Sequence, residues 1–146
     1  MATASLVERV REHLTRQAAW LEDVLTELET ARLDAETPDL AAAASALDRR
    51  VDERMRWESA QARLIEEWRA AAGSVSETER ADVRARSEHV RELAERASEA
   101  YQRVAMQADA HKERVGEGLA QLGRGRVFLR RLYVENPDGW FMDRQA

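Results

Sequence analysis

The sequence predicts an all-α protein. Charged residues make up 35% of its 146 residues and aromatic residues only 5%, a composition typical of long helices and coiled coils. Apolar residues recur at alternating spacings of three and four along most of the chain. Boundary signals at 37–38 and 73–79 divide this pattern into three segments. We therefore expect an antiparallel helical hairpin or three-helix bundle with a long third helix and coiled-coil-like packing.

The first helix is predicted from about Ser5 to Glu36. Leu6, Trp20, Leu25 and Leu33 widen its apolar stripe, which favours packing against two neighbouring helices. The heptad positions themselves contain one polar residue, Gln17, and read Val7, Val10, Leu14, Gln17, Leu21, Val24, Leu28 and Ala31.

The second helix is predicted to begin with Thr37 as N-cap and Pro38 in the first turn, and to end near Ala72 with Gly73 as C-terminal cap. A strict heptad would place three polar residues inside: Arg54, Glu58 and Gln61. We therefore expect a register shift between 54 and 61. The predicted seam is Leu40, Ala44, Leu47, Val51, Met55, Ala62, Ile65 and Trp68.

The third helix begins at a capping box, Ser76 to Glu79, and its pattern continues to Tyr133 before the turn signal at 136–139. Unbroken, it would span about 87 Å, whereas the first two helices span about 50 Å each. Its C-terminal part therefore either folds back at Gly116–Gly125 or binds another chain. We predict a helical core over 1–110, followed by a partner-binding helix and tail of the same domain over 111–146.

Residues 111–133 form the least regular part of the helical pattern. They hold four of the six glycines, and six Lys or Arg residues against two glutamates. Each glycine costs a helix roughly 1 kcal/mol relative to alanine. A weak, basic, amphipathic helix predicts a segment that is dynamic when free and becomes ordered on a partner.

Several classes of function find no support in the sequence. The chain has no cysteine and no histidine with a partner at ligand spacing, and its carboxylates are interspersed with arginines. No Gly-Lys-Ser/Thr accompanies the glycines at 116–125, so they do not indicate a phosphate-binding loop. The Gly-Arg-Gly-Arg sequence at 123–126 favours nucleic-acid binding, but the acidic pI of 5.3 argues against it more strongly. We expect no enzyme activity, no cofactor, no metal, no nucleic-acid binding and no stable membrane insertion. The expected location is cytoplasmic.

A family resemblance is carried by three stretches. TELETARLDAETPDLAAAASALDRRVDERMRWESAQARL resembles the first turn region of the FlgN-type flagellar export chaperones. RVAMQADAHKERVGEGLAQLGRGRVFLRRL is similar to the client-binding helix of that family, and the ending PDGWFMDRQ is similar to its short aromatic tail. The family often carries asparagines in the third helix, whereas Asn136 is the one asparagine here.

The resemblance implies an all-helical chaperone that binds hook–filament junction proteins before export and uses no nucleotide. It implies a client face composed of Val115, Leu119, Leu122, Val127, Phe128, Leu129, Leu132 and Tyr133. Trp140 and Phe141 become candidates for a second contact, with the export gate as the partner. The alternative is a structural coiled-coil spacer or oligomerisation module with no export role, and homo-oligomer formation is left open. A spacer gains nothing from a glycine-weakened seam, whereas a client clamp does.

Overall fold

Five α-helices account for most of the part of the chain that the structure describes. The structure is a computed structural model that describes the backbone of residues 2–33, 40–109 and 116–135, and the side chains of 6–30, 43–106 and 121–135. No strand occurs within these ranges, which confirms the all-α prediction. The helices are α1 (Ala2–Leu33), α2 (Leu40–Met55), α3 (Glu58–Ala71), α4 (Glu77–Asp109) and α5 (Gly116–Leu129). A 3-10 turn (Ala72–Ser74) follows α3, and a π-helical segment (Arg130–Val134) follows α5.

Helix α1 packs mainly along α4, and each is about 50 Å long. Every described heptad position of α1 is buried, including the polar Gln17, and so are Leu6, Trp20 and Leu25. The indole of Trp20 donates a hydrogen bond to the Arg50 backbone carbonyl of α2 (2.9 Å). The wide stripe therefore serves two neighbours, as its width predicts.

The second predicted helix is divided at Arg56 and Trp57, where two backbone hydrogen bonds tighten to 3-10 spacing. The break confirms an irregularity at the expected place between 54 and 61. The prediction that Met55 and Ala62 point into the core instead of Arg54 and Gln61 is wrong. Met55 is 49% exposed and Ala62 is exposed, whereas Arg54 and Gln61 are buried. The strict heptad is kept at Arg54 and Gln61, which hydrogen-bond each other inside, whereas Glu58 is exposed.

The beginning of α4 follows its prediction closely. The Ser76 hydroxyl accepts a hydrogen bond from the Glu79 backbone N–H (3.2 Å) and donates one to the Glu79 carboxylate (2.9 Å). Small buried residues line the α4 surface: Ser87, Ala94, Ala97, Ser98 and Ala100. Gly73, by contrast, does not have the positive φ expected of a glycine cap. It lies inside the 3-10 turn that ends the helix instead.

The third predicted helix is not continuous to Tyr133. Helix α4 ends at Asp109, and α5 begins at Gly116 and packs against both α4 and α2. This arrangement is the fold-back alternative, and because Gly116–Gly125 lie within helix α5, the change of direction does not occur among these glycines. Leu122, Leu129 and Tyr133 join one buried cluster with residues of the other helices. Helix α5 and the π-helical segment are thus part of the core.

Two glycines of α5 have opposite surroundings. A Cβ atom built at Gly125 would lie 2.7 Å from the Tyr101 ring, closer than any real contact of that kind. A Cβ atom at Gly123 would have no heavy atom within 4 Å. Gly125 therefore allows α5 to approach α4 closely over the buried Tyr101 ring, whereas Gly123 lies on the open side of the helix.

We predict opposite stability effects for alanine at these two glycines. Gly123→Ala should raise the free energy of unfolding by roughly 0.5–1 kcal/mol, because alanine is the better helix former and meets no neighbour. Gly125→Ala should lower it by roughly 1–3 kcal/mol, because the buried Tyr101 ring must move. Urea denaturation followed by circular dichroism measures both. A gain at both positions would show that α5 does not pack on Tyr101.

Candidate partner-binding surface

Five side chains from α1, α2, α3 and the π-helical segment form a polar layer across the core. We use that name for His13, Gln17, Arg54, Gln61 and Tyr133, all of which are buried. Buried polar groups are costly unless they are hydrogen-bonded. The layer therefore has to be judged by how its donors and acceptors pair.

The hydrogen bonds of the layer run through Tyr133. The Arg54 Nε donates to the Tyr133 hydroxyl (2.8 Å), and this hydroxyl donates in turn to the Gln17 side-chain oxygen. The Arg54 guanidinium also donates to the Gln61 side-chain oxygen. One tyrosine thus connects the C-terminal segment to α1 and α2 at once.

The charge of Arg54 has no carboxylate partner within the described ranges, and its Nη1 has no hydrogen-bond partner. Aromatic rings supply part of the compensation. The guanidinium carbon lies 5.5 Å from the centroid of Tyr133 and 5.8 Å from that of Trp57. Cation–π contacts of this kind contribute about 0.5–2 kcal/mol, more where water is excluded.

His13 completes the layer at the α1–α3 contact. Its Nε2 lies 3.2 Å from the Gln61 side-chain oxygen and 3.3 Å from the Gln17 side-chain nitrogen. Burial lowers the pKa of His13 to about 4, opposed by the Gln61 hydrogen bond and assisted by the nearby positive charges of Arg54 and Arg16. His13 is therefore neutral at pH 7, so Arg54 carries the one positive charge of the layer.

The predicted client face is divided between the core and the surface. Leu122, Leu129 and Tyr133 are buried among the other helices, so in this conformation they are not available to a partner. Val127 is 60% exposed, and Phe128 and Leu132 are partly buried against the core.

The remaining predicted site residues are not placed by the structure. Val115, Trp140 and Phe141 lie outside the described residues. The side chain of Leu119 also lies outside them, although its backbone belongs to α5.

Charged contacts of α5 differ between its two sides. Arg124 forms ion pairs with Asp48 and, at 3.6 Å, with Asp52 of α2. Arg126 donates to the neutral Gln102 amide of α4 (3.1 Å) and has no carboxylate partner within the described ranges. The side of α5 that faces α2 is neutralised, whereas the side next to α4 keeps a positive charge.

Met106, at 68%, is the most exposed of the large apolar side chains in the described part, followed by Val127. Val127 belongs to the predicted client face, but Met106 was not predicted, because it occupies an ordinary position between seam residues of the third helix. The packing of α5 against α4 is what brings the two residues to neighbouring elements. The sequence pattern alone contains no signal for that contact.

Within the described ranges, no group of three or more His, Cys, Asp or Glu side chains is arranged to hold a metal ion. None of the helices described combines the length and the apolar character that crossing a membrane requires. Comparison of the chain with protein-family models, curated proteins and solved structures finds no match. The resemblance to FlgN-type chaperones therefore remains a prediction from the sequence.

We predict that Tyr133→Phe lowers the free energy of unfolding by about 2–4 kcal/mol, because it leaves the Arg54 Nε and the Gln17 oxygen buried without this partner. Tyr101→Phe is the matched control. Its hydroxyl is buried and has no hydrogen-bond partner, so its removal should be neutral or slightly stabilising. Chemical denaturation of both variants tests the difference. Equal losses would mean that ring packing alone matters at Tyr133.

His13 should make the fold sensitive to acid. The unfolded chain protonates His13 near its ordinary pKa of 6.5, and the folded chain only near 4. The unfolded state therefore binds more protons between these values, and stability falls as the pH decreases from 6.5 to 4. We expect a loss of roughly 2–3 kcal/mol from this group. Urea titrations at pH 7 and pH 4 should show that His13→Gln loses less stability than the wild type by about this amount. Parallel curves would contradict the assignment.

Proposed function

We propose that this chain is a cytoplasmic export chaperone of the FlgN type, that its clients are hook–filament junction proteins, and that it acts without enzyme activity or cofactor. The observation that carries the proposal is the outer surface of α5. There Val127 is exposed, and Phe128 and Leu132, which follow it in α5 and in the π-helical segment, are partly buried; this part of the chain contains four arginines. Exposed apolar side chains close to a basic residue suit an amphipathic client helix.

In this proposal α1, α2–α3 and α4 form an antiparallel bundle with coiled-coil-like packing that presents α5. The client surface is narrower than the sequence predicts, because Leu122, Leu129 and Tyr133 hold α5 on the bundle. The export gate remains the proposed partner of Trp140 and Phe141. An amphipathic helix needs only one apolar stripe on its partner, and the outward side of α5 supplies it.

The expected affinity is modest. Complete burial of a Val, Phe or Leu side chain contributes roughly 1.5–3 kcal/mol, and two of these three side chains are already partly buried. Association costs reduce the sum further. Micromolar binding is the expectation, which suits a chaperone that has to release its client.

We predict that Val127→Asp weakens client binding by about tenfold, because an exposed apolar contact is replaced by a charge that must be desolvated. Met55→Asp is the matched control, because Met55 is also about half exposed but lies on α2. Isothermal titration calorimetry with purified hook–filament junction proteins measures both variants.

Two results would contradict the proposal. One is a folded wild-type chain that binds no junction protein. The other is a concentration-dependent oligomer in analytical ultracentrifugation that Val127→Asp dissociates, which would favour the coiled-coil spacer instead.

A further inference from the structure

An open groove of about 330 Å³ runs between α4 and α5. Its lining is apolar or small apart from one arginine and the neighbouring Gln102 amide. The groove is lined by Tyr101, Ala105 and Met106 on α4 and by Leu122, Gly123 and Arg126 on α5, and of these Tyr101 and Leu122 are buried beneath it.

Two small residues line the groove. Gly123 has no side chain and Ala105 has only a methyl group, and a Cβ atom at Gly123 would meet no neighbour. Met106 stands at the rim with 68% of its surface exposed. Methionine is unbranched and flexible, so it adapts to the side chains of a partner.

The groove continues along the outer surface of α5. Gly123, Arg126 and Val127 are spaced three and four residues apart, which places them on one side of a helix. The exposed Val127 therefore extends the apolar surface of the groove by another turn. A partner that lies along this side of α5 can therefore contact Met106, Gly123 and Val127 together.

Arg126 gives the groove its charge. Its guanidinium holds one hydrogen bond, to the neutral Gln102 amide, while its Nε is buried without a hydrogen-bond partner. The charge of Arg126 has no carboxylate partner within the described ranges, and a carboxylate on a partner would pair with the terminal nitrogens of its guanidinium. The complementary group on a partner is thus an Asp or Glu side chain.

We propose that the α4–α5 groove binds an amphipathic helix of the protein client, and that a carboxylate at the edge of its apolar stripe pairs with Arg126. This inference rests on the proposed function and assigns the binding surface and the chemistry of the partner. A helix fits because the groove lies between two helices and has apolar contacts spaced along their axes.

The test uses the full chain and peptides that span the terminal helices of hook–filament junction proteins, with fluorescence anisotropy as the readout. Met106→Glu should weaken binding by on the order of tenfold, because it removes an apolar contact and repels the carboxylate. Met55→Glu, on α2, is the control and should bind as the wild type does. Arg126→Gln should weaken binding and reduce its dependence on salt, since it removes the charge pair.

Exchanging the two charges between the chain and the peptide tests whether Arg126 pairs with the peptide carboxylate. Arg126→Glu should abolish binding of the native peptide and bind a peptide whose acidic residue is replaced by lysine. Circular dichroism and thermal unfolding establish that each variant is folded.

The outcomes separate the two proposals. If the wild type binds the peptides and the Met106 and Arg126 variants bind equally well, the groove assignment is overturned while the chaperone function stands. If the wild type binds none of the peptides or junction proteins, both fail. If Met106→Glu instead dissociates a dimer of this chain, the groove is a self-association surface and the client assignment is overturned.

Discussion

Burial of the Arg54 guanidinium is the constraint on which the arrangement of the helices depends. Removing a charge from water costs several kcal/mol in a protein interior unless other groups compensate it. Here the compensation comes from Gln61 on α3 and from the hydroxyl and ring of Tyr133. Because these groups belong to separate elements, the charge is accommodated only when all of them are docked.

This dependence explains why the C-terminal segment belongs to the core. Without Tyr133, Arg54 would lose a hydrogen bond and a ring contact, and Gln17 would lose the donor to its side-chain oxygen. Leu122 and Leu129 add apolar burial on the same side of α5. The glycines do not prevent this docking, and at Gly125 the missing side chain is what allows α5 to lie over Tyr101.

The parts of the fold that follow from local rules could be predicted from the sequence. The seam of α1 and the capping box of α4 depend on periodicity and on hydrogen bonds between near neighbours, and both occur as expected. The inward positions around the break after Met55 could not be predicted in this way. Apolarity favours Met55 over Arg54, and it is the hydrogen bonds to Gln61 and to the distant Tyr133 that make the polar choice favourable.

The candidate surface was predictable only in part for the same reason. Periodicity identifies which residues of the C-terminal segment are apolar, but not which of its two sides meets the bundle. The inner side of α5 packs on Tyr101, and the π-helical segment after it contributes Tyr133 to the polar layer. The stripe through Gly123, Arg126 and Val127 therefore lies on the outer side of α5. One helix thus has two separable roles: its inner side fixes the position of α5, and its outer side completes a groove with α4. A substitution on the outer side can then alter partner binding without disturbing Arg54.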